Sequence, residues 1–165
     1  LGGLMMIRNV KKEDAEQIVK IYNYYIANTV ITFETEELLI EEMENRIKEK
    51  TLYNPWIVYE EKSRILGYAY VSKFNFREAY SKTREVTIYV HKEEQGKGIG
   101  SKLMNEIIKS CKEYKFHLLV SIITVPNESS EILHEKFGFS KVGILKEAGF
   151  KMNKWLDVSY WQKKI

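Results

Sequence analysis

Three alternating glycines and a lysine lie between an extended run and a helical pattern, in the stretch Gln95-Gly96-Lys97-Gly98-Ile99-Gly100. The extended run covers 84–91, and the helical pattern begins near Ile99. A strand followed by a glycine-rich turn and a helix start leaves backbone N–H groups unpaired where the helix dipole is positive. Glycine also lets the backbone approach a ligand closely, and Lys97 adds a cation. The stretch therefore predicts an anion site that would suit a pyrophosphate.

The spacing of these glycines separates the loop from two common phosphate motifs. Gly96, Gly98 and Gly100 alternate, whereas the dinucleotide fingerprint is Gly-x-Gly-x-x-Gly. A P-loop is excluded because no Gly-Lys-Ser/Thr follows four intervening residues. The same glycines could also serve only the conformation of an ordinary turn. The surrounding elements are therefore needed to distinguish a turn from a ligand site.

Size and composition indicate one globular domain covering 1–165. A chain of 165 residues can bury a substantial core, and 44% hydrophobic with 30% charged residues is ordinary for such a domain. The net charge is only +3, and basic residues are scattered among acidic ones, so no nucleic-acid partner is expected. Small anionic ligands remain compatible with this charge.

Cysteine usage and the absence of targeting signals favour a cytoplasmic protein. Cys111 is the only cysteine, which excludes an intramolecular disulfide and a zinc cluster and suits a reducing compartment. No apolar run has the length of a membrane span, so no membrane partner is expected. Leu1 to Met5 lack the charged start and long apolar core of a signal peptide. The native start could be Met5 or Met6, in which case the residues before it would be cloning remnants.

Hydrophobic periodicity predicts the elements that must position the loop. Asp14 is expected to cap the first helix with Gln17 three residues on, and Asn127 to cap the last one after Pro126. In chain order we predict strand 4–10, helices 14–27 and 36–48, hairpin strands 56–60 and 65–73, strand 84–90, helix 99–114, strand 118–124, a helix from 127 to 137, and closing strands near 145–149 and 155–161. This order predicts a mixed α/β sheet with helices on both faces, in which only the section from 84 to 124 needs to be parallel.

That element order, with the glycine turn in its middle, resembles the GNAT superfamily of N-acetyltransferases. The acyl-CoA signature of the superfamily is Arg/Gln-x-x-Gly-x-Gly/Ala after the fourth strand, and residues 95–100 match every fixed position. Asn127 followed by Ser130, and the later run 133–139 ending in Gly-Phe, are similar to the second motif of the superfamily. The resemblance implies the GNAT acyl-CoA N-acyltransferase fold, with a mostly antiparallel central sheet, one splayed parallel pair and helices on both faces.

A narrower resemblance, to the phosphinothricin acetyltransferase branch, covers nearly the whole chain. It is carried by Thr32-Phe33, Pro55-Trp56, Gly67-Tyr68-Ala69, Arg77-x-x-Tyr80, Glu85-x-Thr87-x-Tyr89-Val90, Pro126-Asn127, Leu133-His134-Glu135 and Trp155-x-Asp157-Val158-x-x-Trp161-Gln162. Three features depart from the branch. Gln95 replaces the commoner Arg, Val125 replaces a usual Leu, and 148–154 is looser than the Gly-x-Lys-x-Gly-x-Trp pattern. The last departure is expected to alter the mouth of the substrate site.

The resemblance implies a cofactor side and a catalytic pair. Backbone groups of Ile88, Tyr89 and Val90 would pair with the pantetheine arm of acetyl-CoA. Asn127 would bond that arm, cap its helix, or do both. The pyrophosphate would be held by the loop and first helical turn, namely Gln95, Gly96, Lys97, Gly98, Ile99, Gly100 and Ser101.

Glu85 and His134 are the expected catalytic residues. Glu85 matches the proposed catalytic glutamate of the branch and would act as general base, directly or through water, because an apolar cleft raises a carboxyl pKa toward neutrality. The alternative is a strand-end carboxylate paired with Arg84 or Lys82. His134 occupies the slot of a superfamily tyrosine proposed to protonate the departing thiolate; it could do so, bind substrate, or lie on the helix surface.

On the substrate side the resemblance implies Phe33, Arg77, Tyr80 and Thr87. Arg77 would clamp a carboxylate or phosphinate with two hydrogen bonds, or it could be a solvated loop arginine. Phe33 could equally belong to the core. Other aromatic residues are expected to serve in packing, and no site role is predicted for Tyr22, Tyr24, Tyr25, Trp155 and Trp161.

The expected function is therefore acetyl-CoA-dependent N-acetylation of a small amino acid-like amine, of the phosphinothricin, methionine sulfone and methionine sulfoximine class. No metal is expected, and the branch implies a homodimer with its substrate pocket near the partner subunit. Two alternatives stay open, which are acetylation of a peptide or protein N-terminus and non-catalytic binding of acyl-CoA. A groove without an anion clamp at Arg77 would favour the peptide alternative.

Overall fold

A computed structural model describes residues 4–165 and contains a seven-stranded sheet and four α-helices. The strands are β1 (Met6–Asn9), β2 (Trp56–Glu61), β3 (Arg64–Lys73), β4 (Thr83–Val90), β5 (Leu118–Val125), β6 (Ser140–Lys151) and β7 (Lys154–Lys164). The helices are α1 (Ala15–Asn28), α2 (Ile40–Thr51), α3 (Ile99–Glu113) and α4 (Glu128–Lys136). The expectation that the first residues are cloning remnants falls mostly on 1–3, which lie outside the described residues.

The sheet has the order β1-β2-β3-β4-β5-β7-β6, and its only parallel neighbours are β4 and β5. The predicted mixed sheet with one parallel pair is therefore confirmed. Helices α1 and α2 bury their apolar stripes against one face, while α3 packs on the other face through residues such as Leu103, Met104 and Ile107. The predicted placement of helices on both faces is also confirmed.

The parallel pair separates after a short contact, and this separation opens the sheet. Cα partners between β4 and β5 are limited to Thr83 with Leu118, Arg84 with Leu119, and Glu85 with Val120. Beyond these pairs β4 continues along β3, and β5 continues along β7. The facing edges of β4 and β5 are consequently free of sheet hydrogen bonds from Val86 and Ser121 onward, where they form a V-shaped opening.

The predicted capping of α1 by Asp14 is wrong. The Asp14 carboxylate does not cap α1; it accepts hydrogen bonds from the Arg8 guanidinium at 2.8 and 2.9 Å and from the Lys11 amide at 2.7 Å. Gln17 instead accepts from the Ile65 amide. The burial of this ion pair outweighs the local capping preference.

Helix α2 begins at Ile40 rather than near position 36. The Asn23 side chain of α1 binds both the amide and the carbonyl of Leu38, each at 2.9 Å, which holds that residue outside the helix. The helical spacing of Leu39, Met43 and Ile47 predicts one apolar stripe on α2. Met43 and Ile47 are buried as this spacing predicts, but Leu39 is 69% exposed. Within 4–165, every helix is too short or too polar to serve as a transmembrane span.

Candidate active site

The glycine loop has the geometry of an anion cradle. Gly96 and Gly98 have φ of 76° and 80°, in the left-handed region that side chains disfavour, and Gly98 is the N-cap of α3. In the described chain the amides from Gly96 to Ser101 donate no hydrogen bond to any backbone or side-chain acceptor, and Lys102 is the first to bond back, to the Gly98 carbonyl. A β-carbon on Gly96 or Gly98 would meet no protein atom within 4 Å, so the loop leaves room for a ligand to approach its backbone.

Strand β4 presents a second set of free backbone groups beside this loop. The His91 amide donates to the Leu66 carbonyl of β3 at 2.8 Å. Because successive residues of a strand point to opposite edges, Tyr89 also faces β3, whereas Ile88 and Val90 face the opening toward β5. The edge available to an extended ligand is therefore formed by Ile88 and Val90, and the backbone of Tyr89 is used within the sheet.

The loop and the strand are tied together by Tyr25 of α1. Its hydroxyl donates to the Val90 carbonyl and accepts a hydrogen bond from the Gln95 side chain. Burial raises the pKa of Tyr25, so the hydroxyl stays protonated. The sequence analysis assigned this tyrosine to packing alone; helical periodicity cannot indicate a contact with a residue 70 positions away.

A cleft of about 670 Å³ joins the loop, the β4–β5 opening and the start of α4. Most of the predicted site residues line it, namely Phe33, Glu85, Thr87, Ile88, Tyr89, Val90, Gln95, Gly96, Gly98, Ile99, Gly100, Ser101, Asn127 and His134. Lys97 does not line it; its ammonium pairs with Glu94 at 2.8 Å. Arg77 is exposed and also lies outside the lining, as does Tyr80, whose ring packs on Phe74.

Glu85 lies where β4 and β5 separate, and its carboxylate makes no hydrogen bond or ion pair with any residue of 4–165. The alternative pairings are wrong, because the Arg84 guanidinium bonds to Asn54 at 2.6 Å and stacks on the Phe116 ring, and Lys82 forms no ion pair. Burial raises the pKa of Glu85 above its usual value, and the Lys50 ammonium opposes part of that rise. Glu85 thus has the environment of a general base.

His134 is buried, with 7% of its surface exposed, so the alternative of a helix-surface histidine is wrong. Its Nδ1 lies 2.6 Å from the Ser130 carbonyl oxygen, which can only accept, so the neutral ring carries its proton on Nδ1. Burial lowers the pKa of His134 despite that hydrogen bond. The neutral imidazole therefore offers Nε2 as an acceptor. Asn127 caps α4 as predicted, accepting from the Ser130 amide at 3.4 Å.

Beside the cleft, the segment that carries Phe33 contacts the distant β6–β7 hairpin. The Phe33 ring occupies the space where a β-carbon on Gly149 would stand, within 2.3 to 2.9 Å. The Lys151 ammonium donates to the Thr32 carbonyl at 2.8 Å. The part of the β6–β7 hairpin that departs from the branch pattern thus supports the loop that carries Phe33.

Charged groups that the sequence analysis did not single out contact two cleft-lining tyrosines, Tyr22 and Tyr70, from outside the lining. Arg46 pairs through both nitrogens with Glu34, which also accepts from the Tyr22 hydroxyl. The Lys50 ammonium lies 5.4 Å from the ring centroid of Tyr70, a cleft-lining residue, and forms no ion pair within the described chain. No cluster of three or more potential metal ligands occurs in residues 4–165.

Comparison with known proteins agrees with this geometry. A family model described as an acetyltransferase (GNAT) domain matches residues 7–160. The chain is 34% identical to a phosphinothricin N-acetyltransferase from Streptomyces viridochromogenes, covering 95% of this chain and 86% of that protein. It is 29% identical to an L-methionine sulfoximine/L-methionine sulfone acetyltransferase from Salmonella typhimurium, covering 98% and 95%.

A solved structure extends the likeness to the whole fold. The chain superposes with a TM-score of 0.94 on a GNAT superfamily phosphinothricin acetyltransferase from Sinorhizobium meliloti in complex with acetyl-CoA. The two are 33% identical, and the match covers 98% of this chain and 88% of the other. Together with the family model and the geometry of the loop, this likeness establishes the family of the chain. The chain belongs to the GNAT family of acetyltransferases.

Proposed function

We propose that this enzyme transfers the acetyl group of acetyl-CoA to the amine of a small amino acid-like substrate, of the phosphinothricin, methionine sulfone and methionine sulfoximine class. One observation carries the proposal: unbonded amides from Gly96 to Ser101 lie along the same cleft as Glu85, a carboxylate without a partner. The first feature suits a diphosphate and the second suits an amine that must lose a proton. The names of the two relatives support the substrate class.

On the cofactor side, we assign the diphosphate of acetyl-CoA to the loop amides, where a helix N-terminus adds positive charge. The pantetheine arm is assigned to the free edge of Ile88 and Val90, with Asn127 opposite. Tyr25 already occupies the Val90 carbonyl, which leaves the Val90 amide and both groups of Ile88 for the arm. Lys97 contributes only long-range positive charge because its ammonium is paired with Glu94.

The chemistry needs few groups from the protein. Bound acetyl-CoA supplies an acetyl thioester, so that a nitrogen–carbon bond forms, the carbon–sulfur bond breaks, the amine loses one proton and the departing sulfur gains one. Glu85 takes the amine proton, directly or through a water. Its raised pKa suits this role, because a general base works best when its pKa lies near the operating pH. His134 is assigned as a hydrogen-bond acceptor in the cleft; protonating the sulfur would require a proton on Nε2, which its neutral tautomer lacks.

On the substrate side, Phe33 and Thr87 line the cleft beside Glu85 and are assigned to the body of the substrate. The predicted carboxylate clamp, Arg77, is exposed outside the cleft of a single chain. Lys50 also lies outside the lining, but its ammonium is 5.4 Å from the ring centroid of the cleft-lining Tyr70, forms no ion pair within 4–165, and is close enough to Glu85 to oppose the rise of that carboxyl's pKa. We assign the substrate carboxylate to Lys50, and Arg77 and Tyr80 to a role that depends on the partner subunit.

A panel of amines tests the proposal through release of the CoA thiol. The panel contains phosphinothricin, methionine sulfone, methionine sulfoximine, the decarboxylated analogue of methionine sulfone, and a tripeptide with a free N-terminus. We expect turnover of the three amino acids and at least about tenfold lower kcat/KM for the decarboxylated analogue, which loses a charge-assisted contact. Turnover of the tripeptide alone would favour the peptide alternative. The tripeptide is included because Arg77 is exposed and provides no anion clamp in the cleft of a single chain. Binding of acetyl-CoA without any turnover would contradict an enzymatic function.

A homodimer is proposed on the β6 edge of the sheet. Within 4–165 the β6 strand has a partner on one side only. Among its charged side chains it exposes three large apolar ones, Val142, Leu145 and Phe150, each more than 50% exposed, and Trp155 of β7 is 64% exposed. An unpaired, apolar strand edge is suited to association with a second copy about a two-fold axis. A cytoplasmic location is proposed with it, supported by the buried free thiol of Cys111.

Leu145→Glu should convert the dimer to a monomer. The carboxylate would be buried without a partner at the interface, while in the single chain the position is 51% exposed and tolerates it. Light scattering coupled to size exclusion measures the mass, and thermal unfolding checks the fold. Leu39→Glu is the matched control, since Leu39 is 69% exposed on the α2 side and should leave the dimer intact. A wild-type protein that runs as a monomer at all concentrations would contradict the proposal.

A further inference from the structure

Ser121 is a buried polar residue that the fold leaves without a partner. It is 2% exposed, and its hydroxyl makes no hydrogen bond with any residue of 4–165. A buried hydroxyl without a partner destabilises a folded protein, so such groups are rare and call for an explanation. The same residue lines the cleft. The missing partner can therefore be a ligand.

The position of Ser121 in the sheet indicates which part of a ligand it would meet. It directly follows Val120, the last residue of β5 that pairs with β4, and the partner of Val120 in that pair is Glu85. Ser121 thus stands at the closed end of the V-shaped opening, whereas the glycine loop stands at its wide end. If the loop holds the diphosphate, the reacting end of the cofactor lies near Ser121 and Glu85.

A second buried serine shows that this region of the sheet can provide hydrogen-bond partners for a buried hydroxyl. Ser159 of β7 is fully buried, and its hydroxyl accepts from the Trp161 indole at 2.9 Å and donates to the Ile123 carbonyl at 3.4 Å. Trp161 is the cross-strand neighbour of Ser121. Of these two deeply buried serines on adjacent strands, 2% and 0% exposed, only Ser121 lines the cleft and has a hydroxyl free to donate into it.

We propose that the Ser121 hydroxyl donates a hydrogen bond to the thioester carbonyl oxygen of acetyl-CoA. This inference rests on the proposed function, which brings an acetyl thioester to the closed end of the opening. A carbonyl oxygen is the acceptor of choice there, because a thioester sulfur accepts only weakly. As the amine attacks, negative charge grows on that oxygen, and the hydroxyl stabilises it without giving up its proton.

Ser121→Ala and Ser159→Ala form a matched pair for the test, because both remove one buried hydroxyl. Without ligand, Ser121→Ala should be as stable as the wild type or more stable, and Ser159→Ala should be less stable in thermal unfolding. In calorimetric titration, Ser121→Ala should bind acetyl-CoA about three- to tenfold more weakly, which is the effect of one hydrogen bond, and should bind CoA like the wild type. CoA serves as the comparison because it lacks the thioester carbonyl.

Two outcomes of these measurements would overturn the assignment. Equal destabilisation by Ser121→Ala and Ser159→Ala would mean that the Ser121 hydroxyl is already bonded in the fold. Equal weakening of acetyl-CoA and CoA binding would mean that Ser121 contacts the arm or the sulfur and not the carbonyl. Neither measurement uses an amine, so an error in the proposed substrate class would leave the result interpretable.

With an accepted amine, Ser121→Ala should lower kcat by about a hundredfold, in the range seen when one donor to a developing oxyanion is removed. The pH dependence of the residual rate should keep the wild-type midpoint, because Glu85 remains in place. A kcat equal to that of the wild type would contradict a role in the transition state.

Discussion

Replacing Glu85 with Gln should lower kcat/KM by about 10²- to 10⁴-fold at neutral pH, the range expected for loss of a general base. The amide has the same shape but cannot accept a proton. The wild-type rate should rise with pH through a midpoint above the ordinary pKa of a glutamate, because burial raises the pKa of Glu85. The variant should lose that midpoint and recover part of its rate at high pH, where more of the amine is already neutral. Initial rates of thiol release between pH 5 and 10 measure both effects.

Glu93→Gln is the control for this prediction. Glu93 is exposed beside the glycine loop, and its substitution removes the same charge from the protein. Its profile should match the wild type. If Glu85→Gln keeps the wild-type rate and midpoint, Glu85 is not the base, and another group or bulk water must take the amine proton.

Glu85→Gln should lower activity but raise the free energy of unfolding relative to the wild type at high pH. A carboxyl whose pKa is higher in the folded than in the unfolded protein contributes stability at low pH and loses it as pH rises through the folded pKa. Above that pKa the wild type carries a desolvated carboxylate, and the Gln variant does not. Denaturant unfolding should therefore find the variant relatively more stable at pH 8 than at pH 4. The opposite trend would mean that the carboxylate is stabilised by the fold and unsuited to a base.

Gly98→Ala should weaken acetyl-CoA binding by about tenfold or more, because the loop can no longer present its amides to the diphosphate. Gly98 has φ of 80°, so a β-carbon there is strained and costs about 1–2 kcal/mol of folding stability. In the free protein the new methyl group meets no atom within 4 Å, so crowding against other protein atoms cannot explain a loss of binding. Calorimetric titration with acetyl-CoA gives the affinity, and thermal unfolding gives the stability.

Gly143→Ala separates these effects from a general response to glycine replacement. Gly143 also has open space around the added carbon, but its φ lies outside the left-handed region. It should keep acetyl-CoA affinity near the wild-type value, because Gly143 lies in β6, away from the glycine loop. Unchanged acetyl-CoA affinity in Gly98→Ala would remove the diphosphate from the loop and with it the basis of the proposed cofactor orientation.

The elements most accurately predicted from the sequence are those fixed by local forces. The start of α3 at Ile99 follows from glycines that alone accept the left-handed turn before it, and the alternation in 84–90 sets the two edges and faces of β4. The loop and the cap at Asn127 are consequently visible in the sequence, since each lies within a few residues of the pattern that identifies it, whereas the candidate base Glu85 was indicated by the resemblance to the branch.

Tertiary structure decided the features that depend on distant partners. Asn23 delays the start of α2 by holding Leu38, and Tyr25 joins the loop to β4, although neither residue differs in its local pattern from ordinary helix residues. The packing of strands and loops within one chain also leaves the Ser121 hydroxyl without a hydrogen-bond partner among residues 4–165. It places Arg77 outside the cleft of that chain.

The sequence by itself thus determined the position of the glycine loop between β4 and α3, because backbone conformation and periodicity are local properties, and its motifs carried the resemblance to the family and to the branch glutamate at Glu85. Only the tertiary structure decided which groups remain unbonded, as with Glu85 and Ser121, and how protonation is distributed at His134. The physical reason is that desolvation and hydrogen-bond satisfaction depend on everything that packs around a group, and most of those neighbours are far away along the chain.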